Sequence, residues 1–134
     1  MEDLIYEFIK QPVWSVVGAS TNPEKFGNII FRNLLHKGYR VYGVNRRQGA
    51  IEDHQFYPNL SSLPEKPDVV DIVVPPPLAL ETIRECAFLG IHRIWLQPGA
   101  ESPEAIQLGA ELGLKLISQA CCMVHCRPGR STAI

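Results

Sequence analysis

Four short stretches of this chain carry the residue types that could do chemistry. The first is VWSVVGASTNPEKFGN, in which Gly18, Ala19, Ser20 and Thr21 are followed by Lys25 and Gly27. Small residues let backbone N–H groups approach an anion, Ser20 and Thr21 add hydroxyl donors, and a helix beginning just beyond would point its positive end at the same place. That combination suits a pyrophosphate. The glycines do not follow G-x-G-x-x-G, and no Gly-Lys-Ser/Thr of a Walker loop is present. A tight strand-to-helix turn without a ligand is the other use of such a stretch.

The second stretch is Val44-Asn45-Arg46-Arg47. A site built for NAD usually places Asp or Glu at the end of its second strand, to accept from the ribose hydroxyls. Two arginines suit a ribose phosphate instead, through charge-assisted bonds that a guanidinium can make in pairs. NADP carries such a phosphate on its 2′ oxygen and coenzyme A on its 3′ oxygen, so the arginines leave both open. They are also what a pair of solvated surface residues would look like.

In the third stretch, Val74-Pro75-Pro76-Pro77, the prolines have no N–H to offer a phosphate. They make a rigid apolar wall against which an adenine or a pantetheine arm could lie, or they simply punctuate the chain. The fourth, Gln97-Pro98-Gly99, offers a side-chain amide and a flexible glycine, with Trp95 just before it as a core residue. A further cluster, Cys121, Cys122, His125 and Cys126, invites a metal reading. Adjacent cysteines do not readily face one tetrahedral ion and the paired C-x-x-C spacing is missing, so no metal site is expected; a redox-sensitive thiol is the other reading. His36, His54 and His92 form no recognisable dyad or triad with Ser, Cys or Asp, and no catalytic residue is assigned.

The elements that must position these stretches follow from periodicity. Leu4, Ile5, Phe8 and Ile9 recur at helical spacing, so residues 1–11 read as a short helix that packs on the fold or meets a partner, ended by Pro12. Val13–Val17 lacks alternation, as a strand covered on both faces does. Ile30, Phe31, Leu34 and Leu35 make one face of a helix over 27–35, with Gly38 placed for a left-handed cap, and a second strand covers 39–44. Residues 46–66 are polar and proline-containing, with at most a short strand around 55–57.

Beyond them, 69–74 is an apolar strand interrupted only by Asp71, stopped by the prolines before a helix with Leu80, Ile83 and Ala87 on one face and Gly90 at its end. A strand over 92–96 follows, then Ser102-Pro103 as N-cap and first helical residue of a helix burying Ala105, Leu108 or Gly109, and Leu112. Gly113 closes it, 114–117 is the last strand, and 119–134 is a Cys-rich tail. Strands alternating with helices imply parallel β-α-β units, hence one doubly wound α/β domain with a mostly parallel sheet of about five strands. Ligands in such sheets bind beyond the carboxyl ends of the strands, which is where all four stretches would lie.

The 134 residues, 46% hydrophobic and 20% charged, make one domain (1–134) with a real core and no room for a second catalytic one. A net charge of −1 gives no global field for nucleic acid or an acidic membrane, so neither is an expected partner. No apolar run reaches the roughly 20 residues of a membrane span, and MEDLIYEFIK has acids where a signal peptide has positive charge. Together with cysteines that are not spaced as a disulfide scaffold, this places the expected protein in the reducing cytoplasm.

With those residues assembled, the chain resembles the CoA-binding domain family, small Rossmann-like proteins similar to the N-terminal CoA-binding domain of succinyl-CoA synthetase α subunits and of ADP-forming acyl-CoA synthetases. The resemblance rests on VVGASTNPEKFGN, RNLLHKGYRVYGVN, DIVVPPP, IWLQPGA and GLKLISQACCMVH, in that order. It implies that Gly18, Ala19, Ser20 and the loop from Thr21 to Lys25 wrap the phosphates of coenzyme A, with Lys25 and Gly27 matching a basic-x-Gly pattern. Val44, Asn45 and Arg46 would border the adenosine and its ribose phosphate, Val74, Pro75 and Pro76 the adenine or pantetheine path, and Gln97, Pro98 and Gly99 the pantetheine end.

Two positions depart from the family. Arg46 stands where relatives commonly have proline, and His125 where they usually have an acid. The catalytic histidine and nucleotide-grasping parts of the synthetases belong to separate domains. The resemblance therefore implies a stand-alone module that binds CoA or acyl-CoA as carrier, sensor or partner subunit, with a protein partner or a second copy beside it. The alternative is an NADP-dependent oxidoreductase or NADP-binding regulatory domain; a subunit that has lost its ligand is a third reading.

Overall fold

Strand β1, Val13–Val17, is buried at every position, and its place in the sheet explains why. In the computed structural model, which describes residues 2–128, it lies between β2, Arg40–Val44, and β5, Val69–Ile72, parallel to both. The sheet continues in parallel through β6, Arg93–Leu96, to β7, Lys115–Ile117, so that the order is β2-β1-β5-β6-β7. The order reverses between β1 and β5. That switch point opens a crevice at the carboxyl edge of the sheet.

Helices α1, Glu2–Ile9, α2, Phe26–His36, and α5, Cys122–His125, cover one face, and α3, Pro76–Leu89, and α4, Pro103–Glu111, the other. On the first face Trp14, Val16, Trp95 and Ile117 of the strands meet Phe8, Ile30, Phe31 and Leu34. The ring of Trp14 stands 5.5 Å from Tyr39 and 6.0 Å from Trp95, which lies 6.2 Å from Phe8. On the second face Val70, Ile72, Ile94 and Leu96 meet Ala79, Ile83, Cys86 and Ala105. Each fully buried large side chain contributes about 1.5–3 kcal/mol, so both faces hold the sheet.

Several boundaries differ from the sequence reading, each for a local reason. Strand β5 ends at Ile72, and Val73 and Val74 already belong to the crevice. The prolines do not merely precede α3: Pro76 and Pro77 form its first turn, where a missing N–H costs nothing. The buried stripe of α3 is Ala79, Thr82, Ile83 and Cys86: Ile83 is buried as expected, while Ala79 and Cys86 take the places expected of Leu80 and Ala87. Ser102 does cap α4, accepting from Ala105 N, but Leu112 is its C-cap residue and stays 42% exposed.

The unreadable 46–66 segment folds as a hairpin, β3, Ala50–Ile51, and β4, His54–Gln55, whose turn residues Glu52 and Asp53 take φ of 47° and 69°. A turn with two left-handed residues is normally announced by Asn-Gly, Asp-Gly or Gly-Gly, and here Glu52 precedes Asp53 with no glycine between the strands. The C-terminal stretch is no loose tail as far as it is described. Its Cys122 and Cys126 are buried in the first core, Trp95 Nε1 donates to Ala120 O, and Lys37 Nζ donates to Met123 O. Residues 129–134 of the expected tail lie outside the described residues.

Candidate functional site

The first loop is set by two glycines that touch. Gly18, at φ 104°, turns the chain out of β1 with its N–H on Val44 O, and a Cβ there would come within 2.6 Å of Val73 O. Gly27, in the first turn of α2, lies against Gly18 itself: its Cβ would stand 1.9 Å from Gly18 O. Although nine positions apart in sequence, the pair does what a closely spaced glycine motif does, bringing a helix N-terminus onto a strand end. Lys25, the N-cap residue, makes no side-chain cap; its carbonyl accepts from Asn28 N and Ile29 N, which leaves the N–H groups of Phe26 and Gly27 uncovered by it.

Side chains brace the loop from below. Asn28 Nδ2 donates to Ser20 O at 2.8 Å and its Oδ1 accepts from Arg32 Nε at 2.6 Å. Ser20 Oγ accepts from Asn22 N, and Asn22 Oδ1 accepts from Glu24 N. Asn45, at the end of β2, donates from Nδ2 to Ala19 O at 2.7 Å and accepts at Oδ1 from Arg47 N at 2.8 Å. One asparagine thus ties the phosphate-type loop to the arginine loop. Asn28 was not among the residues singled out from the sequence, and only its carbonyl partner eight residues back reveals its role.

Two hollows flank Gly18 and Val74, which line both. The first, about 870 Å³, is lined by Gly18, Ser20, Thr21, Lys25, Gly27, Asn45, Arg47, Val74, Pro75, Pro98 and Gly99, all expected from sequence. It also takes Glu24, a carboxylate of the same Thr21–Lys25 loop, and Val73, Phe26, Gln48, Phe56 and Ala100, which were not singled out as contacts. Phe56 follows the hairpin that sequence could not show. The second hollow, about 720 Å³, has Val44, Asn45, Arg46, Arg47 and Val74 on one side and Leu78, Glu81, Thr82 and Glu85 of α3 on the other. Arg46 Nη2 stands 4.0 Å from Glu81 Oε1, an exposed pair worth little by itself.

Three of the expected residues do not line either hollow. Ala19 is buried and contributes its carbonyl to Asn45. Pro76 is taken up in the first turn of α3. The Gln97 side chain turns inward, where Oε1 accepts from Cys122 N at 2.9 Å and Nε2 donates to Cys121 Sγ at 3.4 Å; it anchors the C-terminal segment while Pro98 and Gly99 reach the cleft.

Three ionisable groups with shifted titration, Asp71, Cys122 and Cys126, lie in the core near the C-terminal segment. Burial pushes Asp71 up to about 7, opposed by the bond it accepts from Cys122 Sγ at 3.0 Å, and its Oδ1 has no partner. Burial and the neighbouring Asp71 raise the Cys122 thiol well above its ordinary range, and burial raises Cys126 to about 12. These are inert thiols. Among the described residues no cluster of His, Cys, Asp and Glu could hold a metal ion, and neither hollow is lined by a histidine or cysteine. His36 is held by Glu52 at 2.9 Å, and His125 lies 6.0 Å from the Trp95 ring. No helix is long and apolar enough to cross a membrane among the described residues.

Comparison with known proteins gives this crevice a family. The α subunit of ADP-forming acetate–CoA ligase II from Pyrococcus furiosus is 27% identical over 118 residues, covering 80% of this chain and 26% of that protein. The chain thus spans about a quarter of the length of that relative. A solved conserved hypothetical protein from Pyrococcus furiosus is 39% identical with a TM-score of 0.80, covering 84% of this chain and 97% of that one. A hypothetical protein from Pyrococcus horikoshii OT3 is 31% identical with a TM-score of 0.87, covering 93% and 89%. Residues 13–127 match the family described as CoA binding domain, and they take in every loop of the crevice, the arginines included: the chain is a member of the CoA-binding domain family.

Proposed function

We propose that the crevice binds coenzyme A or an acyl-CoA, with the pyrophosphate on the Gly18–Thr21 loop, the ribose phosphate at Arg46 and Arg47, and the pantetheine arm toward Pro98 and Gly99. The observation that carries this is the order of groups along the sheet edge. Strand order puts the arginines after β2, the anion-binding loop after β1, Val74 and Pro75 after β5, and an uncharged Pro98-Gly99-Ala100 after β6. At about 4.8 Å per strand step, this edge is roughly 14 Å long. Positive charge at one end, phosphate donors in the middle and a neutral far end match a ligand with a phosphorylated ribose, a pyrophosphate and an uncharged arm.

The family match and the ligase relatives favour coenzyme A over NADP as that ligand. Binding rather than catalysis is the work we assign to this chain: beside donors and apolar walls the hollows carry the carboxylates of Glu24, Glu81 and Glu85, and Ser20 Oγ of the loop is bonded to Asn22 N and to none of them. Solved chains of nearly the same extent support a stand-alone module, and carrier or sensor is the role we assign to it. The ligase subunits, of which the chain covers a quarter, support a protein partner that supplies chemistry. The test is to denature the purified protein and identify released nucleotide by mass, then to titrate the emptied protein with CoA and with NADP in a calorimeter. CoA released, or bound more tightly than NADP, supports the reading. Preferential binding of NADP overturns it.

A further inference from the structure

On α2 the residues Ile30, Phe31 and Leu34 are fully buried in the core. Phe26 stands one turn before Ile30, so it belongs to the same apolar stripe. Yet it is 65% exposed, because the strands end at Val17 and Val44 and the stripe runs on past them over the open cleft. Gly27, pressed against Gly18 O, sets how the first turn meets the loop, so Phe26 is presented beside the anion-binding backbone by a rigid contact. Lys25 precedes it, and Val73, Pro75, Pro98 and Ala100 line the same cleft. A large apolar ring on a core stripe, left open to solvent and lining a cleft with apolar walls, is completed by whatever fills the cleft.

Resting on the coenzyme A reading above, we infer that Phe26 is a specificity-determining residue that packs against the pantetheine arm and so selects pantetheine-bearing ligands over plain nucleotides. The arginines and the Gly18 loop recognise charge, which adenosine 3′,5′-bisphosphate also carries. Phe26 recognises the part that lacks charge. Covering about 50 Å² of its ring at about 25 cal/mol per Å² corresponds to roughly tenfold in affinity.

The experiment is calorimetric titration of the full chain and of Phe26→Ala and Phe26→Tyr with two ligands, coenzyme A and adenosine 3′,5′-bisphosphate, with a thermal melt of each variant. The expected result is a loss of about tenfold for coenzyme A in Phe26→Ala, no more than about twofold for the bisphosphate, recovery of coenzyme A affinity in Phe26→Tyr, and an unchanged melting temperature for an exposed side chain. Unchanged coenzyme A affinity in Phe26→Ala, or equal losses for both ligands, overturns the inference while leaving the coenzyme A reading in place. Failure of the unsubstituted chain to bind coenzyme A removes both.

Discussion

The backbone of Gly27 lies so close to the carbonyl of Gly18 that a methyl group at position 27 would sit 1.9 Å from that oxygen. Neither partner can yield cheaply, since both are backbone at the junction of β1 and α2. Gly27→Ala is therefore expected to lose about 1–3 kcal/mol of stability as the helix is pushed off the strand end, and to weaken coenzyme A binding with it. Gly99 is the contrast: its φ is 100° but a Cβ there meets nothing within 4 Å. Gly99→Ala should cost only the backbone strain, about 1–2 kcal/mol. Urea unfolding of both variants checks this, and a Gly27→Ala protein as stable as the parent would refute the contact.

Arg46 and Arg47 are not equivalent. Arg47 lines both hollows and its N–H is fixed on Asn45 Oδ1, whereas Arg46 lines the second hollow and stands 4.0 Å from Glu81. Arg47→Ala is expected to weaken coenzyme A by about 1.5–3 kcal/mol, the value of a charged hydrogen bond, and Arg46→Ala by less. Dephospho-CoA, which lacks the ribose phosphate, should lose much less in either variant. Calorimetry with both ligands decides it; equal affinity of the parent protein for the two ligands would take the phosphate away from the arginines.

Asp71 makes stability depend on pH. Its folded value is about 7 against an ordinary 3.8, so the folded chain holds a proton that the unfolded chain has released between those limits. Stability from this group is complete below about 4 and is lost as pH rises through about 7. Asp71→Asn cannot ionise, so its melting temperature should gain on the parent between pH 5 and pH 8. A difference that stays constant over that range would exclude Asp71 as the source.

Glu7 has the opposite sign. Its hydrogen bonds from Arg93, at 2.8 Å, and from Lys115, at 3.0 Å, hold its carboxyl below the usual range and tie α1 to β6 and β7. The network contributes at neutral pH and is lost as pH falls through that lowered value. Glu7→Gln should cost about 0.5–1 kcal/mol at pH 7 in low salt, and the difference should shrink with added salt and in acid. Denaturant melts at two salt concentrations and two pH values test it.

Much of the scaffold was legible because it depends on local chemistry and on period. Val13–Val17 without alternation, Ser102-Pro103 as cap and first helical residue, and Gly38, Gly90 and Gly113 at positive φ past helix ends all follow from rules that act within a few residues. The β3–β4 hairpin was not legible, because its turn takes two left-handed residues and Glu52, unlike Asp53, is not a type that favours that conformation, and with it Phe56 was lost from the site. Leu112 and the two flanking positions of the α3 stripe, Leu80 and Ala87, were misjudged while Ile83 was not, because one step of helical phase moves a side chain about a third of a turn and only packing chooses between steps.

The crevice divides in the same way. Sequence alone determined the inventory: small residues at Gly18, Ala19 and Ser20, two arginines after a strand, prolines and a Gln-Pro-Gly turn after two others, all at strand ends of one parallel sheet. Which of those residues face the cleft was decided by the tertiary structure. Gln97 turns inward with its oxygen bonded to Cys122 N, Ala19 is buried with its methyl against Gly43 and its carbonyl on Asn45, and Phe26 is left open because the strands end at Val17 and Val44. A residue's type is written in the chain, but its direction is set by neighbours that the chain brings from far away.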